Sequence, residues 1–161
     1  MFAVLLTMIM AFSLISTIPV SAAGGIDSGL QSRLRYPSAN KDEVILSLQS
    51  FLGNRGNPRY YTDKLDGIWG KNTKGAVEKF QDKTSCLSKD GIVGPKTTIA
   101  IVQTILKECY NANKTKYLDP GAIDGIWGPN TEKAVARYKK NNGLAENGIV
   151  DVLTWGYLCN L

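Results

Sequence analysis

Two carboxylates, Asp66 and Asp124, occupy the same eight-residue setting 58 positions apart: Asp66-Gly67-Ile68-Trp69-Gly70-Lys71-Asn72-Thr73 and Asp124-Gly125-Ile126-Trp127-Gly128-Pro129-Asn130-Thr131. A carboxylate pair flanking a sugar linkage is what glycoside hydrolysis needs, so these two residues are the first catalytic candidates. Little else in the chain bears chemistry. Histidine is absent from all 161 residues. Its absence removes His-ligated zinc, Ser-His and Cys-His nucleophilic pairs, and histidine bases. The three cysteines, Cys86, Cys109 and Cys159, lack the close spacing of a Cys-only metal site. The glycines punctuate turns instead of forming a phosphate loop. No metal, no cofactor and no enzymatic activity are expected.

The surroundings of the two aspartates weigh against catalysis. Two further copies of the pattern follow, Asp90-Gly91-Ile92-Val93-Gly94-Pro95-Lys96-Thr97 and Asn147-Gly148-Ile149-Val150-Asp151-Val152-Leu153-Thr154. A fourfold repeat is a structural device before it is anything else. Asx followed by Gly is a turn, with the side-chain oxygen accepting a backbone N–H two residues on and Gly supplying positive φ. Ile in all four copies reads as an apolar plug holding the turn to a core. Gly and then Pro, in two copies, reads as a helix start, and the Thr that follows suits a bond back to the cap.

The repeat also presents binding candidates. Trp69 and Trp127 are either platforms for sugar rings or core fillers matching Val93 and Val150. Asp66 and Asp124 are ligand contacts or, more simply, turn-formers. Asn72 and Asn130 sit at the second helical position, where free backbone N–H groups suit an anionic ligand. Tyr60 and Tyr61, on the loop before the first copy, offer ring contacts.

These residues need elements to carry them. Residues 2–20 are apolar and uncharged, and Val20-Ser21-Ala22-Ala23 resembles a cleavage site, so 1–22 reads as a signal peptide cut after Ala22 or Ala23. No Lys or Arg precedes the apolar run, and an uncleaved anchor is the alternative. Residues 23–39 are Gly- and Ser-rich and read as a flexible leader. Net charge is +5 and pI about 9.1, a mild bias towards acidic polymers without the basic cluster of a nucleic-acid binder. An exported chain meets an oxidising compartment. A Cys109–Cys159 disulfide is the preferred pairing, with three buried thiols as the alternative.

Asn40 with Glu43 suggests a capping box, and Val44, Ile45, Leu48, Phe51 and Leu52 then mark one helical face. Ala76, Val77 and Phe80 mark a second helix. A third, from Pro95 to about Cys109, is apolar over an arc wide enough for packing on two sides. Gln49-Ser50-Phe51-Leu52 before the first Trp motif matches Gln103-Thr104-Ile105-Leu106 before the second. The helix over 95–109 therefore closes one unit and opens the next. The architecture expected is all-α, with two overlapping three-helix units, 40–109 and 96–161, sharing that helix.

The run Asp-Gly-Ile-Trp-Gly-x-Asn-Thr-x-x-Ala-Val-x-x-Phe-Gln, followed by Asp-Gly-Ile-Val-Gly-Pro-x-Thr, resembles the three-helix peptidoglycan-binding domain found beside bacterial cell-wall hydrolases. Residues 40–109 match closely. Residues 96–160 depart at Tyr138-Lys139 for Phe-Gln, Asn147 for Asp, and Asp151-Val152 for Gly-Pro. The resemblance implies a secreted or periplasmic, noncatalytic module holding the peptide stem or glycan of peptidoglycan, with no nucleic-acid partner and no membrane after signal cleavage. Lys71, Lys74, Lys133 and Arg137 would add weak attraction to acidic wall polymer. The alternatives are a scaffold recruiting a cell-wall enzyme and a wall hydrolase.

Overall fold

The structure is a computed structural model that describes residues 25–113 and 116–160. The expected signal peptide over 1–22 lies outside these residues. Among these residues six helices follow in order: α1 Ser28–Arg35, α2 Glu43–Gly53, α3 Lys71–Lys83, α4 Pro95–Asn113, α5 Pro129–Asn141 and α6 Val152–Cys159, with a 3-10 turn at Lys116–Leu118 before α5. Among the described residues there is no strand beyond isolated bridges, and no helix is long and apolar enough to cross a membrane.

The central helix behaves as its composition requires. Thr98, Ile99, Ala100, Ile101, Val102 and Gln103 are consecutive and all buried. Six successive residues sweep more than one full turn, so α4 is enclosed on every side at this level. One continuous core takes Val44, Leu48 and Phe51 from α2, Val77 and Phe80 from α3, Ile101 and Ile105 from α4, Val135 from α5, and Trp155 and Leu158 from α6. Helix α6 packs back onto α2. There the fully buried Trp155 donates its indole N–H to Val44 O at 3.1 Å.

Residues 23–39 are not a flexible leader where the structure describes them. Asp27 caps α1 by accepting from Leu30 N at 3.0 Å, and Leu30 and Leu34, one turn apart, are fully buried. Ahead of the helix, Asp27 N donates to Val150 O at 2.9 Å and Val150 N to Gly25 O at 2.6 Å. Gln31 adds a bond to Val93 O at 2.9 Å. The segment is thus a strap across the second and fourth turns. Its hold comes from surfaces distant in sequence, which local composition does not reveal. At the start of α2 the cap is Asp42, accepting from Val44 N at 2.7 Å, and not Asn40. Burial alone would push the Asp42 carboxyl up, but Arg33 beside it and the Val44 N–H outweigh this and hold it below the usual range.

The plug of each turn is one residue later than expected. Ile68, Ile92 and Ile126 are 43%, 47% and 64% exposed, whereas Val93 and Val150 are fully buried, and Trp69 and Trp127 pack half-buried against the core. Nor are Cys109 and Cys159 joined; both are thiols in this structure. Both lie beside Tyr138, whose phenol is pushed up to about 12, first by burial and then by the two sulfurs.

Candidate functional site

Each turn is tied down by one buried side chain from the preceding helix. Gln49 Oε1 accepts from Asp66 N at 3.0 Å and Gly67 N at 2.8 Å. Its Nε2 faces Asp66 Oδ1 at 2.9 Å, Ile68 O at 3.1 Å and Thr73 Oγ1 at 3.1 Å. Gln81 repeats all five contacts around Asp90, and Gln103 repeats them around Asp124. The helical Thr therefore joins this knot instead of returning to the cap. Asp66 and Asp124 have structural work: each Oδ1 also accepts from the N–H two residues on, at 2.8 and 2.9 Å.

The fourth turn is built differently, and the departures in its sequence compensate one another. Lys139 replaces Gln and, at 1% exposure, donates to Asn147 Oδ1 at 2.6 Å and Ile149 O at 2.8 Å. Asp151, replacing Gly, brings a carboxylate within 3.5 Å of the ammonium. An ammonium cannot accept a hydrogen bond, so it cannot take the pair of turn N–H groups that each Gln binds. Gly67, Gly91 and Gly125 have φ of 74°, 68° and 69°, whereas Gly148 is not in the left-handed region.

The knots carry a pH signature. The amides of Gln49 and Gln103, then the N–H groups of Ile68 and Ile126, hold Asp66 and Asp124 below the usual carboxylate range. A folded-state pKa below the unfolded value contributes stability that is present above the ordinary value of about 3.9 and is lost as pH falls through the folded value. An Asp124→Asn variant keeps an oxygen for both bonds, as Asn147 does in the fourth turn. It is expected to remain folded at neutral pH and to show a shallower loss of stability between about pH 5 and pH 2 in urea titrations.

The turns set two equivalent clefts beside α3 and α5. The first encloses about 370 Å³ and is lined by Tyr60, Tyr61, Asp63, Asn72, Gly75 and Lys79, among others. The second encloses about 510 Å³, with Tyr117, Asp119, Asn130, Lys133, Arg137 and Glu146 among its lining residues. Asn72 and Asn130 share one register of the repeat, as do Lys79 and Arg137. In each cleft the cation meets the loop tyrosine. Lys79 Nζ reaches Tyr60 O at 3.4 Å, and the Arg137 guanidinium lies 5.0 Å from the Tyr117 ring centroid. Acidic groups complete both clefts. Asp63 accepts from the Asn72 amide. Asp119 accepts from Lys107 at 2.6 Å, and that side-chain bond is the first cause holding it below the usual carboxylate range.

Of the residues expected to bind, Tyr60, Asn72 and Asn130 meet the clefts. Tyr60 is fixed edge-to-face on Phe80, 6.1 Å between centroids. Tyr61 is not an exposed ring. It is 6% exposed and gives its hydroxyl to Lys64 O at 2.9 Å, leaving an edge in the cleft. Trp69, Trp127, Asp66 and Asp124 do not line either cleft. Gly25 leaves no room over the Trp127 indole: a Cβ there would meet Cε2 and Cζ2 at 2.3 Å. Lys79, Gly75 and Asp63 were not foreseen. The signal for Lys79 was present in its spacing, 58 residues before Arg137. Among the described residues, no three His, Cys, Asp or Glu side chains cluster as metal ligands would.

A peptidoglycan-binding domain model matches twice, over residues 41–101 and 98–158, the two matches overlapping on α4. The chain belongs to the peptidoglycan-binding domain family. Curated relatives include a spore cortex-lytic enzyme of Bacillus cereus, 32% identical over 107 residues, covering 66% of this chain and 40% of that one. Another is the spore cortex-lytic enzyme of Bacillus subtilis, 35% identical over 75 residues, 47% of this chain and 23% of that one. The chain thus spans less than half the length of these relatives. No solved structure matches it. The fold of the two matched copies is all-α, two three-helix units sharing α4.

Proposed function

We propose that this chain holds peptidoglycan without cutting it, is exported to the cell wall, and grips through both clefts by the peptide stem. The observation that carries this reading is the repeated trio of tyrosine, asparagine and cation: Tyr60, Asn72 and Lys79 in one unit, Tyr117, Asn130 and Arg137 in the other. A stem peptide has carboxylates for the cation, backbone amides for the Asn side chain, and apolar side chains for the ring. A concave site with a few convergent polar groups is suited to such a ligand. The two candidate catalytic aspartates are each committed to a turn, which supports a role without hydrolysis.

Gly75 supplies the test. It lies inside α3, and a Cβ built on it would have no atom within 4 Å. Packing therefore gives no reason for glycine, which costs roughly 0.5–1 kcal/mol against alanine in a helix interior. Close approach of a ligand to the backbone gives one in the first cleft, whereas the second carries Lys133 at this register. Gly75→Ala is expected to raise stability by about that amount. At the same time it weakens binding of a soluble stem-peptide fragment to the first cleft, read from chemical-shift changes at Asn72 and Lys79. Unchanged binding would remove the first cleft from the account.

A further inference from the structure

Tyr60 and Lys79 line not only the first cleft but also a second groove beside it, of about 380 Å³, completed by Pro58, Asp82, Lys83 and Lys89. Lys71, Gly75, Lys79 and Lys83 recur every four residues, so they form one inclined ridge of α3, about 18 Å long at 1.5 Å per residue. Lys71, Lys79 and Lys83 are exposed. The ion pairs on this face are Lys74 with Glu78 and Lys89 with Asp82. The latter, at 3.4 Å with both partners more than half exposed, holds Lys89 only weakly. Lys71, Lys79 and Lys83 stand outside both pairs.

The second unit shows that the repeat does not require this charge. At the registers of Lys71, Gly75, Lys79 and Lys83 it carries Pro129, Lys133, Arg137 and Asn141. At the register of Lys89 it carries Glu146, which pairs with Lys140 at 2.8 Å. Three cations, Lys79, Lys83 and Lys89, against one carboxylate, Asp82, therefore line a groove in the first unit only, together with Pro58 and Tyr60. Cations spaced along a ridge suit a chain of repeated anions, and Pro58 and Tyr60 offer apolar contact to the carbon skeleton between them. We propose that this groove binds an anionic saccharide or polyol polymer of the wall, continuous with the peptidoglycan cleft at Lys79 but distinct from it. The proposal does not require that the cleft hold a stem peptide.

Lys83 and Lys89 lie outside the first cleft, so a Lys83→Glu/Lys89→Glu chain separates the two sites. Binding of the full chain would be measured by fluorescence titration with two soluble probes, poly(glycerol phosphate) and polygalacturonate, and by sedimentation with peptidoglycan stripped of attached polymer. The expected result is that the wild type binds at least one probe, and preference between them tells phosphate from carboxylate. Affinity should fall as salt rises from about 50 to about 300 mM. The double variant should bind that probe at least about fivefold more weakly, roughly 1 kcal/mol, and should sediment with stripped peptidoglycan as the wild type does. A Lys83→Gln/Lys89→Gln chain should lie between them. Failure of the wild type to bind either probe, or equal affinity in wild type and variants, would overturn the proposal. So would loss of binding to stripped peptidoglycan in a variant with wild-type circular dichroism, because the lysines would then belong to the peptidoglycan site.

Discussion

Replacing Gln103 by Leu is expected to lower the stability of the fold by about 3–5 kcal/mol, although the side chain is close in size and more apolar. Gln103 is buried on the central helix at 1% exposure. Its Oε1 accepts the backbone N–H groups of Asp124 and Gly125 at 3.1 and 2.9 Å. Its amide hydrogens serve Asp124, Ile126 O and Thr131 between 2.9 and 3.2 Å. Leu leaves two turn donors without their acceptor. A buried donor so stranded costs about 1–3 kcal/mol. Against a typical total of about 5–15 kcal/mol the change is large, equivalent to a melting temperature roughly 10 °C lower for a domain of this size. Thermal and urea unfolding followed by circular dichroism would measure it. A loss below about 1 kcal/mol would mean that the turns are held by their plugs and not by the glutamine.

Trp155→Ala is expected to cost a similar amount, about 3–5 kcal/mol, by a different route. Trp155 is fully buried, the bulkiest of the side chains so enclosed. It joins α6 to α2 through its apolar contacts and the bond to Val44 O at 3.1 Å. Truncation removes more apolar contact than the neighbours can close over, so a cavity remains. Because the site lies between α2 and α6, away from both clefts, the variant should keep its affinity for stem peptide at temperatures where it is folded. Trp69 and Trp127, only half-buried, should each cost less. A Trp155→Ala chain as stable as wild type would show that α6 does not depend on this contact.

The parts of the fold legible in the sequence were those written locally. Asx-Gly turns, Pro at the start of α4 and α5, and the two-sided apolar arc of α4 each follow from a few neighbouring residues. The identity of the plug was misread because Ile recurs in all four copies. The Asp side chain instead folds back on the Ile N–H, leaving the Ile side chain exposed and the following Val or Trp against the core. The glutamines were visible but unexplained. Gln49 sits between Leu48 and Phe51, and Gln103 between Val102 and Ile105, polar residues on apolar faces with no partner nearby in sequence. Their partners lie 17 and 21 residues on. The strap over 25–35 was hidden for the same reason, since its bonds run to Val93 and Val150. Of the residues lining the clefts, Tyr60, Asn72, Asn130, Lys133 and Arg137 were legible in the sequence, whereas Lys79, Gly75 and Asp63 were not. The cations opposite, Lys79 and Arg137, meet the loop tyrosines only once helix and loop are folded together.

Binding without cleavage is tested by sedimentation of the full chain with purified, insoluble peptidoglycan, with the supernatant assayed for released muropeptides over time. The chain is expected to move to the pellet, a Gly75→Ala/Arg137→Ala chain to remain largely in solution while folded, and no muropeptides to appear. Steady release of muropeptides by the wild type, or undiminished binding by the double variant, would contradict this expectation.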